Sequence, residues 1–191
     1  MGLEQVKLLA LDFDGVLTDN HVWTDQDGRE SVRCYRGDGI GIERVKALGV
    51  LVVVISKEVN PVVRARCDKL SIPCYQGIDD KLNCLDELRY RAHLGWGQVA
   101  YVGNDINDLE CLRAVGFPFV PKDVESAVCP SYNRMGFDNY GHEYIQETVY
   151  PPDYRFQHLR RRGGDGCVRE VCDLIASAIE AGQREAVNAA P

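Results

Sequence analysis

Near-continuous apolar runs recur along this chain, separated by segments whose apolar positions fall three or four apart. Val6–Leu11, Gly49–Ile55, Gln98–Val102 and Phe117–Val120 are the runs, rich in Val, Ile and Leu. Runs without polar alternation are what a parallel sheet covered on both faces requires. Ile40, Val45 and Leu48 keep helical spacing over Ile40–Leu48, which Gly49 stops. Pro61–Leu70 has Asn60 as N-cap and Pro61 at its first position. Lys81–His93 and Ile106–Val115 predict two more helices, the second ending at Gly116. Strand–helix alternation of this kind predicts an α/β fold with a doubly wound parallel sheet. One stretch departs from it: His21–Thr24 and Glu30–Tyr35 flank Asp25-Gln26-Asp27-Gly28, the pattern of a β-hairpin over residues 21–36.

Length adds that one domain is expected, over residues 1–182, with a frayed tail over 183–191. The net charge of −7 sets the whole-molecule field against nucleic acid and anionic membranes, so neither is expected as a partner. No apolar run is long enough to span a bilayer, and the N-terminus lacks an apolar signal-like core. The eight cysteines form no Cys-x-x-Cys pair, so a reduced, cytoplasmic setting is expected and structural zinc is not.

Candidate chemistry gathers where such a sheet binds ligands, beyond the carboxyl ends of its strands. The first run ends in Asp12-Phe13-Asp14-Gly15, two carboxylates two residues apart. Taken alone this is either an acidic turn or half of a metal site, since crowded carboxylates need a cation or a shared proton. The second run ends in Ser56-Lys57-Glu58, Asp80-Lys81 opens the next helix, and the third run ends in Gly103-Asn104-Asp105-Ile106-Asn107-Asp108. Carboxylates, a hydroxyl and a lysine thus converge on one sheet edge, which argues against an incidental turn.

In this order the segments resemble the four motifs of the haloacid dehalogenase superfamily of phosphotransferases. The likeness is greatest to its capless branch, which contains the 3-deoxy-octulosonate 8-phosphate and nonulosonate 9-phosphate phosphatases and the tail domain of some CMP-sialate synthetases. It covers residues 6–128 and resumes at Arg162-Gly163-Gly164-Asp165-Gly166. The resemblance implies a sheet with a hairpin after strand one and no large cap domain. It also implies Asp12 as nucleophile, Asp14 as proton donor and acceptor, Ser56 and Lys81 as phosphate-holding groups, and Mg²⁺ as cofactor. Asp12, the Asp14 carbonyl, Asn104 and either Asp105 or Asp108 are the implied metal ligands. Asn104 departs from the family, which has aspartate there; an amide oxygen can ligate magnesium but brings no charge.

Glu58, Arg64 and Arg66 fall at positions resembling the sugar-acid end of the nonulosonate phosphatase site, and Arg162 belongs to the late glycine cluster. An arginine fork at Arg64 suits a carboxylate; an ordinary solvated helix face suits the same residues. The branch assembles tetramers, and residues 21–36 with the Arg162–Gly166 loop are the expected contacts. Residues 129–161 match the family least. Tyr132, Phe137, Tyr140, Tyr144, Tyr150, Tyr154 and Phe156 make this insertion aromatic-rich, and it is expected as a lid or a packing extension. The expected activity is hydrolysis of a phosphate monoester of a sugar acid or related small metabolite. The alternatives are a plain sugar or nucleoside phosphate as substrate, or a non-catalytic tetramerisation module.

Overall fold

Every apolar run becomes a strand of one parallel sheet in the computed structural model, which describes residues 2–128, 135–137, 143–145 and 156–188. The strands are β1 (Leu8–Leu11), β4 (Leu51–Ile55), β5 (Cys74–Tyr75), β6 (Val99–Val102), β7 (Phe117–Val120) and β10 (Gln157–His158), with β2 (Thr18–Thr24) and β3 (Glu30–Cys34) forming the hairpin. A separate antiparallel pair joins β8 (Met135–Phe137) to β9 (Glu143–Ile145). The sheet order is β10-β7-β6-β1-β4-β5, with Leu8–Leu11 in register with Leu51–Val54 on one side and Val99–Val102 on the other. The helices are α1 (Gly37–Ala47), α2 (Pro61–Leu70), α3 (Lys81–Arg91), α4 (Leu109–Ala114) and α5 (Cys167–Asn188).

Successive side chains of a strand face opposite sides, and here both sides are dry. Leu9, Leu11, Val52, Val54, Ala100 and Val102 pack with α1, α2 and α5, whereas Leu8, Ala10, Val53, Ile55, Val99 and Tyr101 pack with α3 and α4. The chain runs outward from β1 to β4 and β5, then returns to β6 on the other side. The crevice at that reversal lies between the ends of β1 and β6, where open α/β sheets bind ligands.

The boundaries differ where local hydrogen bonds compete. Gly49 and Val50 are not strand, because their N–H groups close the end of α1 on Lys46 and Val45 while Gly49 takes φ +84°. Residues Ile106–Asp108 form a 3₁₀ turn before α4, held by the Asp105 side chain. The hairpin carries a bulge between Thr18 and Val22 with Asn20 at φ +62°. The tail is the clearest correction: α5 runs past Gly182 to Asn188, through Gln183, Arg184, Glu185 and Ala186, good helix formers. Of the expected insertion, Phe156 and Leu159 are buried around β10; the rest of the aromatic cluster lies outside the described residues or their described side chains. Among the described residues no helix is long and apolar enough to cross a membrane, and seven cysteines are free thiols.

Candidate active site

The first carboxylates are set by a turn that the backbone ties in three places. The Asp12 N–H donates to the Val102 carbonyl across β1 and β6 (2.9 Å), and the Phe13 carbonyl accepts from Val16, Leu17 and Thr18. Gly15 makes the turn at φ +78°, with the Asn104 side chain where a Cβ would stand. From outside, Gly163 and Gly164 press on the same turn, and the Gly164 N–H donates to the Val16 carbonyl (3.0 Å). A side chain at Gly163 would meet the Gly15 carbonyl, which explains the late glycine cluster. Within this turn Asp14 accepts a hydrogen bond from the Thr18 hydroxyl (3.3 Å).

Behind Asp12 stands a buried charge chain. The Lys81 ammonium lies 2.7 Å from Asp12 Oδ1 and 2.8 Å from Asp108 Oδ1. Asp108 Oδ1 also accepts from the Tyr101 hydroxyl (2.7 Å), and Asp108 Oδ2 accepts the N–H groups of Asn104 (2.9 Å) and Asp105 (3.3 Å). Burial works against the Lys81 charge, but Asp12 and Asp108 outweigh it and raise its pKa. Two carboxylates therefore share one lysine. Burial, with repulsion from Asp108, pushes the Asp12 carboxyl well above its ordinary range despite Lys81. Asp14 is raised too, by burial and then by Glu58, against the Thr18 hydrogen bond. A raised carboxyl is the proton donor that an acid–base role needs.

Beyond these side chains opens a pocket of about 510 Å³ lined by Asp12, Asp14, Asn20, Ser56, Lys57, Glu58, Asn104 and Asp105, among others. Its wall holds four carboxylates against one lysine, itself 3.3 Å from Asp79. A phosphate dianion meets net repulsion there unless a cation enters with it. The residues fit such a cation: Asn104 Oδ1 is buried with no hydrogen-bond partner, in a pocket it shares with Asp12 and Asp14. The donors are all oxygen, which suits a hard divalent ion. Among the described residues no group of three or more His, Cys, Asp or Glu is arranged for a metal. Between the two open candidates, Asp105 lines the pocket, whereas both Asp108 oxygens are engaged elsewhere.

Ser56 is buried at the end of β4, and its Oγ accepts the Glu58 N–H (3.1 Å), which leaves the hydroxyl proton to donate. Glu58 lines the pocket while its Oε1 accepts from Val59 and Asn60. The arginines go elsewhere. Arg64 donates to the Cys74 carbonyl (2.9 Å), Arg66 donates to the Tyr35 carbonyl (3.0 Å), and Arg162 is exposed; none of them lines the pocket. The Arg162–Gly166 loop, expected at a subunit contact, packs on the active-site turn of its own chain. Sequence reasoning missed Tyr101 and Asn20. An isolated tyrosine in an otherwise aliphatic strand was the available signal for the first, and an asparagine in the bulge for the second.

No protein-family model matches the chain. It is 32% identical over 148 residues to N-acylneuraminate cytidylyltransferase A of Danio rerio, covering 75% of this chain but 34% of that protein. The chain thus spans about a third of that relative's length. It is 30% identical over 176 residues to 3-deoxy-D-manno-octulosonate 8-phosphate phosphatase KdsC of Escherichia coli, covering 92% of this chain and 81% of that one. The crystal structure of 3-deoxy-D-manno-octulosonate 8-phosphate phosphatase from Moraxella catarrhalis, in complex with a magnesium ion, a phosphate ion and a KDO molecule, superposes with a TM-score of 0.74. The two share 28% identity, over 96% of this chain and 94% of that one. With Asp12, Asp14, Ser56, Asn104 and Asp105 lining one pocket and Lys81 buried behind Asp12, these likenesses show that the chain belongs to the KdsC-type phosphatases, a phosphoric monoester hydrolase branch of the haloacid dehalogenase superfamily.

Proposed function

We propose that the chain hydrolyses the phosphate monoester of a sugar acid or a related small metabolite, through a covalent phosphate on Asp12. The observation that carries this reading is Asp12, held from behind by the buried Lys81 (2.7 Å), facing a pocket that it shares with Asp14, Ser56 and the unpartnered Asn104 oxygen. An Asp12 oxygen attacks phosphorus and the bond from phosphorus to the substrate oxygen breaks. Asp14 gives its proton to the departing alkoxide, then takes one from the water that attacks the Asp12-bound phosphate. That second step releases inorganic phosphate, restores the Asp12 carboxylate and returns Asp14 to its protonated form. Ser56 and Lys81 hold phosphate oxygens throughout.

Asp12, Asp14 through its carbonyl, Asn104 and Asp105 would hold Mg²⁺, which supplies charge neutralisation of the phosphate when bound. The magnesium and phosphate in the Moraxella catarrhalis relative support this assignment. The hairpin supports a tetramer, since Val22 and Trp23 are 53% and 56% exposed on it in the single chain.

A second reading, a plain sugar phosphate as substrate, draws on the arginines: neither Arg64, Arg66 nor Arg162 faces the pocket to read a carboxylate. Phosphate release from 3-deoxy-octulosonate 8-phosphate, a nonulosonate 9-phosphate and plain sugar phosphates, with Mg²⁺ and with a chelator, separates the readings. Metal-dependent release confined to the sugar acids is the expected result. Equal release from plain sugar phosphates favours the second reading, and no release from any of them favours a non-catalytic module.

A further inference from the structure

Tyr101 is fully buried in the centre of the sheet, between aliphatic neighbours on a wall where phenylalanine would pack without a polar atom to satisfy. A hydroxyl in such a place costs stability unless it is hydrogen-bonded. Its partner is the same Asp108 oxygen that holds Lys81: Tyr101 Oη donates at 2.7 Å and Lys81 Nζ stands at 2.8 Å. The other Asp108 oxygen holds the Asn104 and Asp105 N–H groups. Asp108 therefore receives four donors, and only Lys81 among them also reaches Asp12.

We propose that Tyr101 is a positioning residue for Lys81. This rests on the reading of Asp12 and Lys81 as the phosphate end of the site. By donating to Asp108 Oδ1, the phenol shares that oxygen's negative charge, so the ammonium is bound less tightly there and stays extended towards Asp12, which lines the pocket. Without the hydroxyl, Asp108 draws Lys81 back from the phosphate. Burial, followed by repulsion from Asp108 and Asp12, keeps the phenol protonated, so it remains a donor throughout the working pH range.

Tyr101→Phe removes only the hydroxyl and tests this directly. The expected result is a fall in kcat/KM of about tenfold, the size of a lost hydrogen bond to a charged group. The nitrogen resonance of the buried Lys81 ammonium, read by NMR without substrate, is expected to shift in the same variant. Val99→Ala, a cavity on the same strand away from the site, controls for lost stability and should change neither readout. If Tyr101 acts through Asp108, adding Tyr101→Phe to Asp108→Asn costs no further activity. An unchanged Lys81 resonance with unchanged kcat/KM in Tyr101→Phe overturns the proposal, as does full additivity with Asp108→Asn. Wild-type protein without turnover on any substrate, by contrast, contradicts the phosphatase reading, and the Lys81 resonance still decides the role of Tyr101.

Discussion

Asn104 puts a neutral oxygen where the resemblance implies an aspartate. Around it, Asp12 and Asp108 share one lysine and repel each other, a repulsion that a divalent cation would relieve. Asn104→Asp adds a charge at the pocket wall, and the magnesium concentration giving half-maximal activity should fall about tenfold or more. A metal titration of activity measures it, and an unchanged midpoint means that residue 104 does not face the ion. Most of this site was legible in the sequence, because Asp12, Asp14, Ser56 and Lys81 sit at strand ends and a helix start, where local spacing fixes position. The choice between Asp105 and Asp108 was not legible. It depends on which carboxylate folds back onto Tyr101 and Lys81, a contact between distant segments. The reach of Arg64 and Arg66 was equally hidden, since a helix position does not say which carbonyl a long side chain will find.

At the scale of elements, the start of α5 is the joint that ties the active-site turn to the rest of the fold. Gly164 holds φ +61° against the backbone of Thr18 and Asp19. Gly164→Ala should cost about 2 kcal/mol or more in stability and lower kcat by moving the turn that carries Asp14. Thermal melting and kinetics check both. The same joint uses Asp38, fully buried in α1, whose Oδ1 accepts the Arg169 N–H (2.9 Å) and whose Oδ2 has no partner. Burial pushes its carboxyl up to about 6, against the pull of the Arg169 N–H and of Arg66, Arg161 and Arg169.

A carboxyl raised in the folded state binds its proton more tightly there than in the unfolded chain. Its contribution to stability is therefore full below about pH 4 and is lost as pH rises to about 6. Asp38→Asn keeps an acceptor for Arg169 and removes the buried charge. The variant should exceed the wild type by about 3 kcal/mol well above pH 6, with the gap closing below about pH 4. Denaturation midpoints across that range test it, and a constant gap would argue against burial as the cause. The sheet that this joint braces was legible because its strands are apolar on both faces. The two-residue strands β5 and β10 were not, being too short to leave a periodic signal.

For the whole molecule, the net charge of −7 works against an anionic substrate at a distance, and the pocket wall works against it nearby. The proposed hydrolysis would then rest on the buried lysine and the metal to offset that repulsion. The proposed tetramer would cover the exposed Val22 and Trp23 and bring a second chain towards the pocket. Light scattering should give about four times the chain mass of 21.4 kDa. Trp23→Glu on the hairpin should reduce that mass, and a monomeric wild type would refute the assembly.

All of this depends on Asp12 acting as a nucleophile, and phosphate release at saturating Mg²⁺ by the wild type and Asp12→Asn tests that most directly. The substitution removes the attacking charge and keeps nearly the same shape. Release from a sugar-acid phosphate by the wild type should exceed that of the variant by about a thousandfold or more. Equal rates in the two proteins would contradict the account.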